Sequence, residues 1–232
     1  MPAPARSRAD GARRITLSVS SPRTGRGIGD TRRVTSAPAN PDDGEDGVQA
    51  VRQLASRVVY QNPWMTVRED DVEFADGTRS IYGVVHKNDF AVVIAEQDGM
   101  FHLVEQYRYS VRRRSLEFPM GGWPAGRSGS ALELAQAELA EETGITAATW
   151  RHLGHLRQSI GYSSQGFDVF HATDLTQGEH RREATESDME HRVVPAASLR
   201  ELIRTGVVVD APTLAAYLLL ELSAPERAAS PT

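Results

Sequence analysis

The chain has 232 residues, of which 40% are apolar, and a formal net charge of −5. A chain of this length and composition can build one domain with a sizeable core, and its mildly acidic balance argues against a nucleic-acid-binding surface. Cysteine is absent, which excludes disulfides and zinc–thiolate sites and is compatible with a cytoplasmic location. No apolar run has the length of a membrane span, so we expect no membrane partner.

The N-terminal segment differs in composition from the rest. Residues 1–47 are rich in Arg, Ser, Pro and Gly and contain few large apolar side chains, so we expect a disordered tail. An organelle transit peptide is an alternative, but Pro2 and Pro4 interrupt an amphipathic helix. A dispensable tail or an upstream start codon is the favoured interpretation. The folded domain is expected over residues 48–226, with a C-terminal tail over residues 227–232.

From about Val58 the pattern is typical of β-strands that are joined by tight turns. Asp76-Gly77 and Asp98-Gly99 each predict a hairpin. Strands are predicted over residues 65–72, 80–86, 91–95, 101–106, 150–156 and 167–172. Helices are predicted over residues 197–204 and 212–222, with Asp210 capping the last one. Strands first, one inserted helix, strands again and helices last predict an α/β sandwich.

The inserted helix is predicted to begin after Ser130 and to end at Gly144. Ser130 followed by Glu133 is a capping box, which gives Glu133 a structural role, and Gly144 is a C′ cap. An apolar stripe at positions i, i+3 and i+7 is predicted to face the core. Its members are Leu132, Ala135 and Leu139.

Three carboxylates, Glu138, Glu141 and Glu142, lie at i, i+3 and i+4 of this helix and therefore share one face. No Lys or Arg occurs between Arg127 and Arg151, so their repulsion, roughly 0.2–0.5 kcal/mol per pair, is uncompensated. The negative end of the helix dipole adds about 0.3–1 kcal/mol. A solvated helix face is the alternative interpretation. A hard cation reverses both penalties, which favours Mg²⁺, with Mn²⁺ as a substitute.

This helix resembles the signature helix of the Nudix hydrolase family, Arg-Glu-apolar-x-Glu-Glu-x-Gly-apolar after a glycine loop. The matching residues are Glu138, Glu141, Glu142, Gly144 and Ile145. The family Arg is Ala137 here, the earlier family Glu falls on Gly129, and the leading Gly falls on Trp123. The Gly121-Gly122 loop therefore fits with a two-residue insertion. If the family Glu and Arg form an ion pair, this chain lacks both members, so no unpaired charge is left behind.

Three flanking segments narrow the resemblance to the ADP-ribose pyrophosphatase-like branch: residues 103–108, 116–121 and 206–214. The resemblance covers roughly residues 57–222. It implies an α/β/α sandwich with a mixed sheet, and a homodimer built around residues of about 56–90.

The resemblance also implies a Mg²⁺-dependent hydrolase that cleaves the pyrophosphate of a nucleoside diphosphate linked to another moiety. ADP-ribose or a nucleotide sugar would yield a nucleoside monophosphate and a sugar phosphate. The implied metal ligands are Glu138, Glu141, Glu142 and the backbone carbonyl of Met120. Two alternatives are a nucleotide-sugar-sensing module without catalysis, which the missing Arg and Glu motivate, and an enzyme for nucleoside triphosphates or dinucleoside polyphosphates.

In the branch, a Glu in a late loop activates the attacking water, and Glu186 is the favoured match, with Asp188 next. Glu138 is the other residue assigned to catalysis. Arg108 is the predicted phosphate clamp, because its planar fork matches phosphate oxygens. Glu117 is predicted to take a sugar hydroxyl or to support the metal shell. The alternative interpretations are an acidic surface loop around Glu186 and a simple surface arginine at Arg108.

Three further features of the sequence have a structural and a functional interpretation. Trp64 is expected to be a partly buried anchor, with adenine stacking as the alternative. Gln165 stands where the branch often has an acid. The Arg112–Arg114 run is predicted to be a solvated hairpin tip, or else an anion-attracting rim.

Overall fold

The computed structural model of the protein describes three stretches of chain, residues 50–124, 126–179 and 188–223. The tails predicted over residues 1–47 and 227–232 lie outside these stretches. The predicted general base, Glu186, lies outside them as well.

A three-stranded antiparallel sheet opens the described chain. It consists of β1 (Val51–Gln61), β2 (Thr66–Phe74) and β3 (Arg79–His86), in the order β1-β2-β3. The turn between β2 and β3 contains Gly77 at φ 82°, so the hairpin predicted at Asp76-Gly77 is confirmed. Nearly every residue of β1 is exposed.

A seven-stranded mixed sheet forms the centre of the domain. Its strands are β4 (Phe90–Gln97), β5 (Met100–Arg108), β6 (Arg113–Glu117), β7 (Met120–Gly121), β8 (Ile145–Arg157), β9 (Gly166–Gln177) and β10 (Glu190–Pro195). The order is β10-β5-β4-β9-β8, with β6 beside β5 and β7 beside β4. The β4–β9 pair is parallel and the other pairs are antiparallel. Asp98 and Gly99, both at positive φ, join β4 to β5, which confirms the second predicted hairpin.

Helices cover both faces of this sheet. Successive residues of β4 point to opposite sides, so its apolar side chains contribute to a core on each face. The helices are α1 (Ala131–Thr143), α2 (Ala196–Arg204) and α3 (Ala211–Ser223). On one side, Ala91, Val93 and Ala95 share a core with Leu134 and Leu139 of α1. On the other side, the buried residues are Phe90, Val92, Ile94, Leu199 and Ala216. The predicted α/β/α sandwich with a mixed sheet is therefore confirmed. None of the described helices is long and apolar enough to cross a membrane.

The caps of α1 are confirmed, whereas its predicted apolar stripe is partly wrong. The Ser130 hydroxyl accepts a hydrogen bond from Glu133 N–H at 3.2 Å, and the Glu133 carboxylate accepts one from Ser130 N–H at 2.8 Å. Gly144 closes the helix at φ 74°. Leu134 is buried, whereas Leu132 is 37% exposed. Leu134 and Leu139, five residues apart, flank the buried Ala135 and set the rotation of α1 on the sheet, which turns Leu132 outward.

We predict that Ser130→Ala lowers the free energy of unfolding by about 1 kcal/mol, because the first turn of α1 loses its side-chain acceptor. Ser128→Ala is the matched control. Ser128 is exposed and precedes the cap, so its replacement should change stability by no more than about 0.5 kcal/mol. Urea denaturation measures both variants, and equal losses would contradict the role of the cap.

Candidate active site

A cleft of about 1040 Å³ lies beside the C-terminal half of α1, near the upper end of the usual size for a small-molecule site. Among the described residues, it is bordered by residues 61–66, 86–90, 108–124, 137–141 and 209–212 and by Arg127, Gln158 and Gln165. Two of the predicted metal ligands on α1, Glu138 and Glu141, line the cleft together with Met120 and Arg108. The structure thus brings most of the predicted site residues into one cavity.

The loop that carries Met120 is fixed on three sides. Val93 N–H of β4 donates to the Pro119 carbonyl at 2.9 Å. Phe118 N–H donates to the Thr213 hydroxyl of α3 at 3.1 Å. Met120 and Gly121 then pair with β4 as the short strand β7. These contacts give the loop a single backbone conformation, which suits a main-chain carbonyl that is to serve as a ligand.

Glu142 approaches the same loop from the buried side. Its side chain is in the last turn of α1, only 1% of the residue is exposed, and its Oε2 accepts a hydrogen bond from Met120 N–H at 3.1 Å. Glu138 and Glu141 instead border the cleft. The three carboxylates that were predicted on one helix face therefore divide between the protein interior and the cavity.

The Glu138 carboxylate rests directly against Gly121. A Cβ atom at position 121 would stand 2.4 Å from Glu138 Oε2 and 2.6 Å from Oε1, far inside van der Waals contact. Only glycine leaves room for this arrangement. Gly121 thereby forms a cradle that seats the carboxylate beside the Met120 backbone.

The donor set at this place fits a hard divalent cation. The carboxylates of Glu138 and Glu141 and the carbonyl of Met120 offer oxygen ligands, which Mg²⁺ prefers. Within the described stretches, no three His, Asp or Glu side chains are arranged to hold an ion by themselves. Mg²⁺ sites in proteins commonly use one or two carboxylates and take further oxygens from water and substrate phosphates, so the arrangement remains compatible with Mg²⁺.

Arg108 and the buried Glu117 form a partly buried ion pair at the wall of the cleft. Glu117 is 1% exposed, and Arg108 Nε donates to its two oxygens at 3.0 and 3.1 Å, with a further bond from Arg108 Nη2. Burial by itself lowers the pKa of Arg108, but the hydrogen bond and charge of Glu117 outweigh it and raise that pKa. Arg108 is therefore a charged, oriented group, and Glu117 acts chiefly by holding it.

Asp210 completes this wall and caps α3 as predicted. Its Oδ2 accepts a hydrogen bond from Thr213 N–H at 2.9 Å. Burial raises the pKa of Asp210, and the hydrogen bond from Thr213 offsets part of this rise.

Asp188, the second choice for general base, lies outside the cleft. Its Oδ2 accepts hydrogen bonds from Tyr107 N–H at 2.9 Å and from Arg114 at 3.2 Å. Arg114 also binds Glu105 at 2.9 Å. It is exposed, as predicted, but it lies in β6 and not at the hairpin tip. The pairing of β5 with β6 and β10 brings these charges together, which residue order alone did not indicate.

The structure also places Trp64 and Gln165. Trp64 borders the cleft and is 76% exposed in the single chain, so the expected partial burial is wrong. Gln165 is buried and donates to the Asn88 carbonyl at 2.7 Å, so its amide secures the loop. The cleft also contains Trp123 and Arg127, which sequence analysis did not assign to the site. Their only sequence signal was the two-residue insertion.

Carboxylates on one helix, a hydrogen-bonded loop and an arginine meet in a cleft of an α/β/α sandwich, which is the arrangement that the resemblance to Nudix hydrolases predicts. Comparison with known proteins agrees with this class. Residues 51–85 match a family model described as the nucleoside diphosphate sugar hydrolase N-terminal domain.

Among relatives, the chain is 29% identical over 169 residues to an ADP-ribose pyrophosphatase of Mycobacterium tuberculosis, covering 71% of this chain and 80% of the relative. It is 28% identical over 173 residues to an ADP-ribose pyrophosphatase of Bacillus subtilis, covering 74% and 92%. A crystal structure of an ADP compounds hydrolase shares the fold, with a TM-score of 0.67, 22% identity and coverage of 76% of this chain and 95% of that one. The predicted resemblance to the ADP-ribose pyrophosphatase-like branch of the Nudix hydrolases is confirmed.

We predict that Gly121→Ala displaces the Glu138 carboxylate, since the new methyl group would occupy its seat. Divalent metal affinity should fall about tenfold or more, the size of effect seen when a group that orients a metal ligand is lost. Stability should change little because Glu138 is a flexible side chain. Gly161→Ala is the control, since its Cβ would meet no atom within 4 Å. Calorimetric titration with Mn²⁺ measures both variants, and unchanged affinity in Gly121→Ala would contradict the cradle.

Proposed function

We propose that this protein is a Mg²⁺-dependent diphosphatase that cleaves the pyrophosphate of ADP-ribose or a related nucleotide sugar. The products are a nucleoside monophosphate and a sugar phosphate. The observation that carries the proposal is the seating of Glu138 on Gly121, in the same cleft as Glu141, Met120 and Arg108. The names of the two ADP-ribose pyrophosphatase relatives support the reaction and the substrate class.

Glu138, Glu141 and the Met120 carbonyl are the proposed metal ligands on the cleft side. Glu142 joins them from the buried side, where it also holds the Met120 peptide. A Mg²⁺ ion held by these residues would supply positive charge for the phosphate oxygens and would lower the pKa of a coordinated water. Because the ligands belong to one helix and one paired strand, their spacing is set by the fold.

The reaction requires a water oxygen to attack one phosphorus while the bond to the bridging oxygen breaks. The water proton passes to a carboxylate, and the second phosphate leaves with the bridging oxygen. Glu186 is the proposed acceptor of that proton, and it lies outside the described stretches. Glu138 is the proposed catalytic carboxylate within the cleft, since it borders the cavity beside Met120.

Arg108 is the proposed clamp for the substrate phosphates. Its Nε and Nη2 groups pair with the two oxygens of Glu117 and fix the guanidinium plane, and 39% of its side chain stays exposed at the cleft. A planar guanidinium in a fixed orientation donates to phosphate oxygens with less loss of conformational entropy. Glu117 is accordingly a positioning residue for Arg108.

With Mg²⁺ and ADP-ribose, the wild-type protein should release AMP and ribose phosphate. Glu138→Gln should lower kcat by about 100-fold or more, the range for loss of an acid–base or ligand carboxylate. Glu133→Gln is the matched control on the same helix, since Gln preserves a capping box. Product separation by ion-exchange chromatography measures the rates. Bound but intact ADP-ribose in the wild type would contradict the enzyme and favour a sensing module.

We further propose that a second copy of the chain covers the three-stranded sheet. Exposed apolar side chains cluster on β1 and β3, where Val58, Val59, Tyr60 and Ile81 are each more than half exposed. An apolar surface of this kind commonly marks an interface between proteins. The cytoplasmic location stays a prediction.

Light scattering at micromolar concentration should report a homodimer for the wild type. Val59→Glu should shift the mass toward the monomer, because a charge would be buried at the interface. Leu218→Glu is the control, since Leu218 is an exposed apolar residue of α3. A monomeric wild type would contradict the proposed dimer.

A further inference from the structure

The loop between β7 and α1 contains an arginine that is fixed by two contacts. Arg127 N–H donates to the Pro124 carbonyl at 3.0 Å, and Gly126 takes the positive φ of 82° that this tight turn requires. The Arg127 guanidinium carbon then lies 4.8 Å from the centroid of the Trp123 ring. This is the geometry of a cation–π contact.

The Trp123 platform is itself fixed by packing. A Cβ atom at Gly129 would stand 2.9 Å from Cζ2 of the indole, so the ring occupies the space that a side chain at position 129 would need. The Trp123 carbonyl accepts a hydrogen bond from Asn88 at 3.4 Å. A side cavity of about 320 Å³ beside the ring is bordered by Trp123, Arg127 and Ala137. Gly129 and Ala137, the two positions without the expected charges, thus border the same side cavity as the Trp–Arg stack.

The charge of Arg127 is available to a ligand. Among the described residues, Lys87, Arg108 and Arg127 are the Lys and Arg side chains that border the main cleft, and Arg108 is paired with Glu117. None of the carboxylates in residues 50–124, 126–179 and 188–223 lies within ion-pair distance of the Arg127 guanidinium. A stacked guanidinium contacts the indole through its face and keeps its N–H edges for hydrogen bonds. Phosphate is the ligand class that matches such an edge.

We propose that Arg127, stacked on Trp123, is a second phosphate-binding side chain of this cleft and contacts the diphosphate of the substrate. Arg108 enters from the end of β5 and Arg127 from the loop before α1, so each phosphate can receive its own guanidinium. The proposal rests on the diphosphatase function. It adds a substrate contact that comes from the inserted loop and not from the signature helix.

The test is calorimetric titration of ADP-ribose and ADP in EDTA, which prevents turnover. Arg127→Ala should raise the dissociation constants of both ligands by about 10-fold to 100-fold, as expected for a lost charge-assisted hydrogen bond. The loss should shrink at high salt, since the contact is ionic. Trp123→Leu should show the same pattern to a smaller degree. Arg204→Ala, which removes an exposed cation of α2, should match the wild type.

Steady-state kinetics with Mg²⁺ gives a second measurement. Arg127→Ala should raise KM for ADP-ribose far more than it lowers kcat, whereas a loop that had lost its shape would lower both. Wild-type affinity in Arg127→Ala, or a loss that does not depend on salt, would overturn the proposal and leave the diphosphatase function standing. A wild type that neither binds nor cleaves ADP-ribose would overturn both.

Discussion

The hydrogen bond from Met120 N–H to the buried carboxylate of Glu142 is the contact on which the site depends. It joins the last turn of α1 to β7, and it leaves Glu142 almost without solvent. Removing a partner from a buried polar contact costs about 1–3 kcal/mol or more, so the helix end has little freedom to rotate. Glu138 and Glu141, one turn and one residue earlier, are thereby directed to the cleft.

Each of the two arginines in the cleft that have a role in the proposal is oriented by a neighbouring side chain. Arg108 is held by Glu117, and Arg127 is held by an aromatic face. The chain has no acid at position 129 and no arginine at position 137. The Trp123 ring packs against Gly129, and both border a side cavity together with Ala137. An apolar ring in place of an ion pair leaves no buried charge unpaired. The loop between β7 and α1 therefore forms part of the cleft wall through Trp123 and Arg127.

Local signals made much of this structure predictable. Ser130, Gly144 and the two Asp-Gly turns act within a few residues, so the helix bounds and hairpins follow from sequence. The features that sequence analysis missed depend on distant partners. Burial of Glu142 requires the loop at Met120, the orientation of Arg108 requires Glu117 across a hairpin, and the outward turn of Leu132 is set by packing on β4. Such contacts can be predicted only when the order of the strands in the sheet is known.

Manganese titration followed by electron paramagnetic resonance tests the central claim most directly, because it counts bound ions without requiring turnover. The account predicts saturable Mn²⁺ binding in the wild type, strengthened by ADP-ribose, and loss of that binding in the double variant Glu138→Gln, Glu141→Gln. Equal binding in the double variant, or none in the wild type with ADP-ribose present, would contradict a metal site at the end of α1.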